Sequence, residues 1–373
     1  MQFTRKQDIQ EAIAPNRALV VYGPRRVGKT TLLQGYLKQQ GNRSVLLRTG
    51  DDIRVQEVFG SRSLDMLKEL VAPYDIVAID EAQQVPDIGL GTKMLIDAHP
   101  EKEYLLTGSS SFDLASQVGE PLTGRHYTLT LLPLALCELA LSKVELREVL
   151  GDLLRYGAYP EVLLAPDAAS KERILRELVS SYLYKDVLAL DKIRSPDLLR
   201  DITRMLAHQI GGEVSLNEIA VALKTDVKTV QRYLDVLEKM FVIRKVRGFS
   251  RNARNEVTKK ARYYFLDLGV RNAIIDRFNP LSVRDDIGML WENFVFMELV
   301  KRDNLAGVFA NYHFWRTHTG AEVDIVREQS GMLQAFECKW SAGAQAPTQW
   351  KKAYPDAAFQ VINQENYLEW LCP

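Results

Sequence analysis

Cysteine is scarce in these 373 residues, and an excess of charge is missing altogether. Cys137, Cys338 and Cys372 lie far apart and fall in none of the spacings that build a disulfide framework or a zinc site, which fits a reducing cytoplasm. Lys plus Arg and Asp plus Glu both number 48, so any surface for a polyanion must come from local segregation of charge. No hydrophobic leader opens the chain and no apolar run reaches the length of a membrane span. The expectation is a cytoplasmic protein with no membrane partner. What remains is ordinary for a globular chain, 46% hydrophobic and 26% charged, and long enough for two or three domains.

One stretch stands out against that background. Residues Gly23-Pro24-Arg25-Arg26-Val27-Gly28-Lys29-Thr30 read G-x-x-x-x-G-K-[ST]. They follow the apolar run Ala18 to Tyr22 and precede a helix-like segment, the context a P-loop needs. The glycines let successive N–H groups converge on an anion, and the helix that follows favours the same negative charge. The expected nucleotide contacts run from Gly23 through Lys29 and Thr30 to Thr31. Lys29 would reach the β- and γ-phosphates, and the Thr30 hydroxyl would sit on Mg2+. A second apolar strand, Asp75 to Glu81, ends in two carboxylates. Asp80 suits the Mg2+ shell and Glu81 suits a base that polarises water. A third, Tyr104 to Thr107, runs into Gly108-Ser109-Ser110-Ser111, where a hydroxyl, Ser109 first, could sense the γ-phosphate; a serine-rich turn reads the same way.

Taken in order, the chain opens with a helix-like segment over residues 1–17. Strands are expected at 18–22, 44–49, 76–79, 104–107 and 127–131, an alternation that implies a parallel sheet covered on both faces. Thr123-Gly124-Arg125 precedes the last strand. Arg125 could face a γ-phosphate in its own subunit or a neighbour's, or simply lie at the surface. Residues 135–195 are helical in pattern, a lid.

Residues 196–265 show three helices and a hairpin. Val227, Val230, Leu234 and Leu237 make the apolar stripe of the third helix, and Lys228, Thr229, Gln231 and Arg232 its other face, residue types that a recognition helix presents to a major groove. From Lys239 to Arg262 nine Lys or Arg stand against one acid, Glu256, a local net charge of +8. Lys228, Arg232, Arg244, Lys245, Arg247, Arg251 and Arg254 are the expected contacts to DNA, duplex or branched; phosphates of RNA would serve them equally.

From Gly288 the pattern changes again. A helix carries Glu292 and Glu298, then come strands with Asp324 and with Glu337-Cys338-Lys339. Glu337 and Lys339 share a face because side chains alternate along a strand. Two carboxylates and a lysine on adjacent strands, with Glu292 added, can hold Mg2+ for phosphodiester attack. A salt-bridged strand pair gives the same pattern.

The motifs GPRRVGKTTLL, IDEAQ, LTGSSS, LTGR and WRTHTGAEVDIV…ECKWS together resemble a family of bacterial and archaeal AAA-type ATPases, over nearly the whole chain. The fold the resemblance implies is α/β: a P-loop parallel-sheet ATPase domain (1–134) with a helical lid (135–195), a winged helix-turn-helix (196–270) and an α/β restriction-endonuclease-like C-terminal domain (271–373). It implies ATP and Mg2+ as cofactors, catalytic roles for Lys29, Glu81 and Ser109 or Ser110, and Glu292, Asp324, Glu337 and Lys339 as a nuclease-like set. Cys338 departs from the family, which usually has an aliphatic residue there. The layout is also similar to the ring-forming motor that migrates Holliday junctions, which motivates a homo-oligomer with Arg125 acting in trans. Three readings follow: an ATP-hydrolysing DNA motor or remodeller, an ATP-gated Mg2+-dependent nuclease, and a nucleotide switch in signalling or defence.

Overall fold

The computed structural model describes residues 3–108, 118, 121–181, 195–250, 260–317, 319–341 and 346–372. Its elements fall into two compact units, Arg5–Leu132 with Lys239–Phe241, and the remainder of the chain.

In the first unit β1 (Ala18–Tyr22) is buried throughout, as an unbroken apolar run in the middle of a covered sheet should be. It is joined by β2 (Val45–Thr49), β3 (Ile76–Asp80), β4 (Glu103–Gly108) and β5 (His126–Thr130), in the order β2-β3-β4-β1-β5, every pair parallel. The five expected strands all form. Their register brings Thr49 beside Asp80 and Tyr22 beside both Gly108 and Thr130, so all five carboxyl ends share one edge. The leading helix is far shorter than expected, only α1 (Ile9–Ala12). Asp8 caps its start, and the residue before Pro15 is barred from helix while Asn16 turns to φ 60°. After the P-loop come α2 (Lys29–Lys38), α3 (Ile53–Gly60), α4 (Leu64–Val71) and α5 (Ile88–Ala98). Side chains of Asp52 and Ser63 cap α3 and α4 by accepting N–H groups of their first turns.

The second unit begins with α6 (Lys143–Glu148), α7 (Leu150–Tyr156), α8 (Pro160–Leu164) and α9 (Ala168–Leu178). Then come α10 (Pro196–His208), β6 (Glu213–Val214), α11 (Leu216–Ala222), α12 (Val227–Lys239), and the hairpin β7 (Ile243–Gly248) and β8 (Ala261–Phe265). In α12 the buried stripe is Val230, Tyr233, Leu234, Val236 and Leu237. Val227, expected in that stripe, is 40% exposed because it opens the helix one turn short of the packed face. The chain continues through α13 (Leu268–Ile274), α14 (Ile287–Leu305), β9 (Asn311–Arg316), β10 (Glu322–Gln329), β11 (Met332–Cys338), α15 (Thr348–Ala353), β12 (Ala358–Ile362) and α16 (Tyr367–Leu371). Buried Arg271 of α13 donates to Ala207 O and to Asp286, both at 2.7 Å, and Asn272 to the carbonyls of Leu154 and Arg155, clamping α13 to α10, α7 and the start of α14.

The strands of this unit form one seven-stranded sheet, β12-β11-β10-β9-β7-β8-β6. The hairpin therefore does not stand free. Arg247 and Gly248 pair in parallel with His313 and Phe314, and Phe249 N donates to Phe314 O at 2.6 Å. Between β10 and β11 a two-residue turn, Ser330 (φ 50°) and Gly331 (φ 80°), matches the mirror-image turn that suits strand twist. Among the described residues no helix is long and apolar enough to cross a membrane.

Candidate functional site

The loop between β1 and α2 is shaped by two glycines. A Cβ on Gly23 would stand 2.1 Å from the Leu131 carbonyl oxygen, and Gly28 has open space but φ 96°, so close approach requires one and conformation the other. Arg26 also adopts a positive φ, 61°. Arg25 and Arg26 are exposed while Val27 between them and Gly28 is fully buried and anchors the loop. Thr31 follows on the exposed first turn of α2.

Lys29 is buried, and its Nζ donates to the carbonyls of Gly23 and Pro24, each at 2.9 Å, rather than to a carboxylate. Burial pushes its ammonium down to about 8, although Glu81 and Asp80 act to hold it up. Thr30 Oγ1 donates to Asp80 Oδ2 at 2.6 Å, which joins the P-loop to the end of β3. The other Asp80 oxygen accepts the hydroxyl of Thr107 and the N–H of Glu81 at 3.2 Å. Thr107 is fully buried and also accepts that N–H, at 3.3 Å.

Glu81 itself has φ 51°, a left-handed conformation that costs a residue with a side chain about 1–3 kcal/mol. Its surroundings impose it. Gly50 donates to Asp80 O at 2.7 Å and lies so close that a Cβ there would meet Glu81 O at 2.2 Å. The Glu81 carboxylate accepts from Gln83 Nε2 at 2.5 Å.

Thr107, Gly50, Gln83 and Arg5, whose guanidinium donates to the Val27 carbonyl, are neighbours that sequence reasoning missed. A hydroxyl ending the otherwise apolar run Tyr104 to Leu106 was the signal for Thr107; Arg5 left none. Ser109, Ser110 and Ser111 lie outside the described residues. Arg125 is not placed for its own P-loop. Its carbonyl accepts from Ala18 N at the start of β1, four residues or about 13 Å from the end that feeds the loop, and its guanidinium pairs with Asp97.

The C-terminal carboxylates do come together. The pairing of Ile325 with Phe336 sets Asp324 beside Glu337, and Asp324 accepts from Cys338 N at 2.8 Å. Glu292 accepts from Tyr264 OH at 2.6 Å and from Arg262 at 3.1 Å. Burial first, and then Asp324, pushes Glu292 up to about 8; burial raises Asp324 and Glu337 as well. Lys339 pairs with Glu337 at 2.7 Å. Glu298 is turned elsewhere, buried against Lys301 at 2.7 Å. The three carboxylates expected to ligate Mg2+ form no metal-binding group: among the described residues no three His, Cys, Asp or Glu side chains are so arranged.

The basic residues expected on nucleic acid divide. Lys228, Arg232 and Arg247 are exposed, and Lys245 is half-buried. Arg244 is half-buried with its guanidinium 5.7 Å from the centre of the Tyr312 ring, and burial lowers its pKa, so it is not a surface cation. Arg251 and Arg254 lie outside the described residues.

Residues 15–140 match an AAA domain. Residues 147–281 and 287–368 match two domains of unknown function, DUF8612 and DUF4143. An uncharacterized protein of Methanocaldococcus jannaschii is 26% identical over 385 residues, covering 96% of this chain and 83% of the relative. One of Mycobacterium tuberculosis is 28% identical over 334 residues, 87% of this chain and 71% of its own. Among solved structures, a point mutant of Thermotoga maritima RuvB matches 64% of this chain and 83% of its own at 18% identity, with a TM-score of 0.28, too low to carry an argument.

Proposed function

We propose that the AAA domain at residues 15–140 binds ATP with Mg2+ and hydrolyses it, and that the second unit couples this to nucleic acid as a motor or remodeller. The observation that carries the reading is the Thr30–Asp80–Thr107 chain of hydrogen bonds, which holds the P-loop hydroxyl and the acid at the strand end together. Hydroxyl and carboxylate are the hard oxygen donors Mg2+ takes, so Thr30 and Asp80 would hold the ion, directly or through water. When bound, that ion neutralises charge on the phosphates. Lys29 leaves its two loop carbonyls for phosphate oxygens. Glu81 takes the proton of the attacking water once Gln83 releases its carboxylate. Arg125 would serve only a neighbour's nucleotide, which makes the active form a homo-oligomer.

Exposed Lys228, Arg232 and Arg247 support nucleic-acid binding by α11 and α12 as a helix-turn-helix with β7–β8 as its wing. β9 to β12 would then be a restriction-endonuclease-like sheet used for binding rather than cutting. The test is the steady-state ATP hydrolysis rate with and without duplex, branched and single-stranded DNA and RNA, at low and moderate salt. Salt-sensitive stimulation by one form is the expected result. A rate indifferent to all of them removes nucleic acid from the proposal and leaves a nucleotide switch.

A further inference from the structure

Four carboxylates converge where β8, β10, β11 and α14 meet: Glu292, Glu322, Asp324 and Glu337. Carboxylates in this number are the donors a divalent cation draws on, but with a guanidinium among them no three of the described ones are arranged to hold one. The protein, however, already supplies a cation. Arg262 reaches Glu292 at 3.1 Å, Glu322 at 3.3 Å and Asp324 at 4.0 Å, and Lys339 takes Glu337 at 2.7 Å.

Arg262 is not a mobile surface residue that an ion could push aside. It is 5% exposed, and its backbone pairs with Val246 on one side and Glu213 on the other. Its guanidinium lies 4.6 Å from the centre of the Phe314 ring, a favourable seat for a planar cation. Burial works against its charge, yet Tyr264, Glu292 and Glu322 hold its pKa above the ordinary arginine value. Among the described residues, Glu337 Oε2 of the cluster is buried without a hydrogen-bond partner.

We infer that Arg262 is the resident counter-ion of this cluster, so that the chain takes no divalent cation there and becomes a divalent-cation site only when Arg262 is removed. The charge balance is the reason. An ion entering beside Arg262 would add like charge in a buried pocket, whereas a vacated guanidinium position takes the nearest cation from Glu292 and leaves Glu322 with Arg316 at 3.8 Å and Asp324 with Lys339. This does not depend on the ATPase reading, and its test needs no nucleotide.

The test is Mn2+ binding, read by the loss of the free-ion paramagnetic resonance signal, in a D80N background that removes the P-loop acid. The D80N chain is expected to bind no Mn2+ up to millimolar concentration. D80N/R262M is expected to bind one equivalent, to melt at a higher temperature with Mn2+ than without it, and to lose both responses when D324N is added. Mn2+ binding by the chain that keeps Arg262, abolished by D324N, overturns the inference. So does a folded D80N/R262M that binds none. Should R262M fail to fold under all conditions, the comparison of D80N with D80N/D324N alone decides.

Discussion

Two places in this chain gather acids at strand ends beside a lysine, and they treat charge in opposite ways. At the carboxyl edge of the parallel sheet, Lys29 is turned onto loop carbonyls, and among the described residues Asp80 holds hydroxyls and an N–H. In the C-terminal sheet every acid of the cluster has a protein cation: Arg262 for Glu292, Glu322 and Asp324, and Lys339 for Glu337. The first arrangement keeps cation and acid apart, as the proposed binding of a phosphate and an ion requires. The second is neutralised from within. The sequence patterns D-E and D…E-x-K are similar in chemistry, and only the position of the nearest guanidinium or ammonium distinguishes a site from a strut.

Removing the cation from each place sharpens the contrast most. K29A is expected to abolish ATP binding and turnover while leaving the melting temperature unchanged or higher, because a buried lysine that pairs only with carbonyls costs stability. R262M is expected to do the reverse. It should cost about 3–5 kcal/mol of stability, the usual penalty for breaking a buried charge pair, and leave turnover per folded molecule unchanged. Turnover and thermal denaturation of both variants check this. An R262M chain as stable as the parent breaks the comparison.

The next largest effect separates the two acids at the strand end. With E81Q the turnover number should fall about 10²–10⁴-fold while ATP affinity stays within a factor of a few, since a general base contributes to chemistry and not to holding the phosphates. Equal losses in affinity and turnover would make Glu81 a binding residue.

How much of this was legible beforehand follows from the same contrast. The parallel sheet was readable because its strands are short unbroken apolar runs, and the P-loop because glycine and lysine at fixed spacing leave few structural alternatives. That Asp324 and Glu337 lie on adjacent strands was readable from the strand pattern and side-chain alternation. Arg262 was not. It counted as one of nine basic residues of a wing, because nothing local says that a strand residue will pair sideways with acids 30 to 62 positions later. The shared sheet was hidden for a similar reason: the β7–β9 contact is two residues long and parallel, with no turn to announce it. Thr107 and Gly50 were missed because their roles depend on which strands are neighbours.

A pH series tests the Lys29 half of the comparison. Its folded pKa of about 8 lies below the ordinary lysine value of 10.5, so between those limits the unfolded chain carries the additional proton. The penalty that Lys29 imposes on folding is therefore full below about pH 8 and lifts as pH rises through the window to 10.5. ATP affinity must move the other way. Above about pH 8 the free protein has to take up a proton to bind phosphate, so affinity should fall by at most about tenfold per pH unit. Equilibrium binding between pH 7 and 9.5 reads this; a flat profile would mean that the ammonium is not what the phosphates meet.

The smallest expected effect asks whether the P-loop is pre-shaped by the chain around it. Arg5 precedes β1 and donates to the carbonyl of Val27, one residue before Gly28 takes its left-handed turn. Without that bond the Val27 carbonyl must find water, and the loop can sample arrangements in which its N–H groups no longer converge. A hydrogen bond of this kind contributes about 1 kcal/mol net, which is about fivefold in an equilibrium. R5A should therefore raise the KM for ATP about fivefold and leave kcat nearly unchanged, with R5K between the two, because an ammonium can donate to the same carbonyl without the guanidinium's fixed fork. A lowered kcat at unchanged KM would instead place Arg5 on the reacting phosphates, and the difference between the two acid clusters would then rest on one more cation than Lys29.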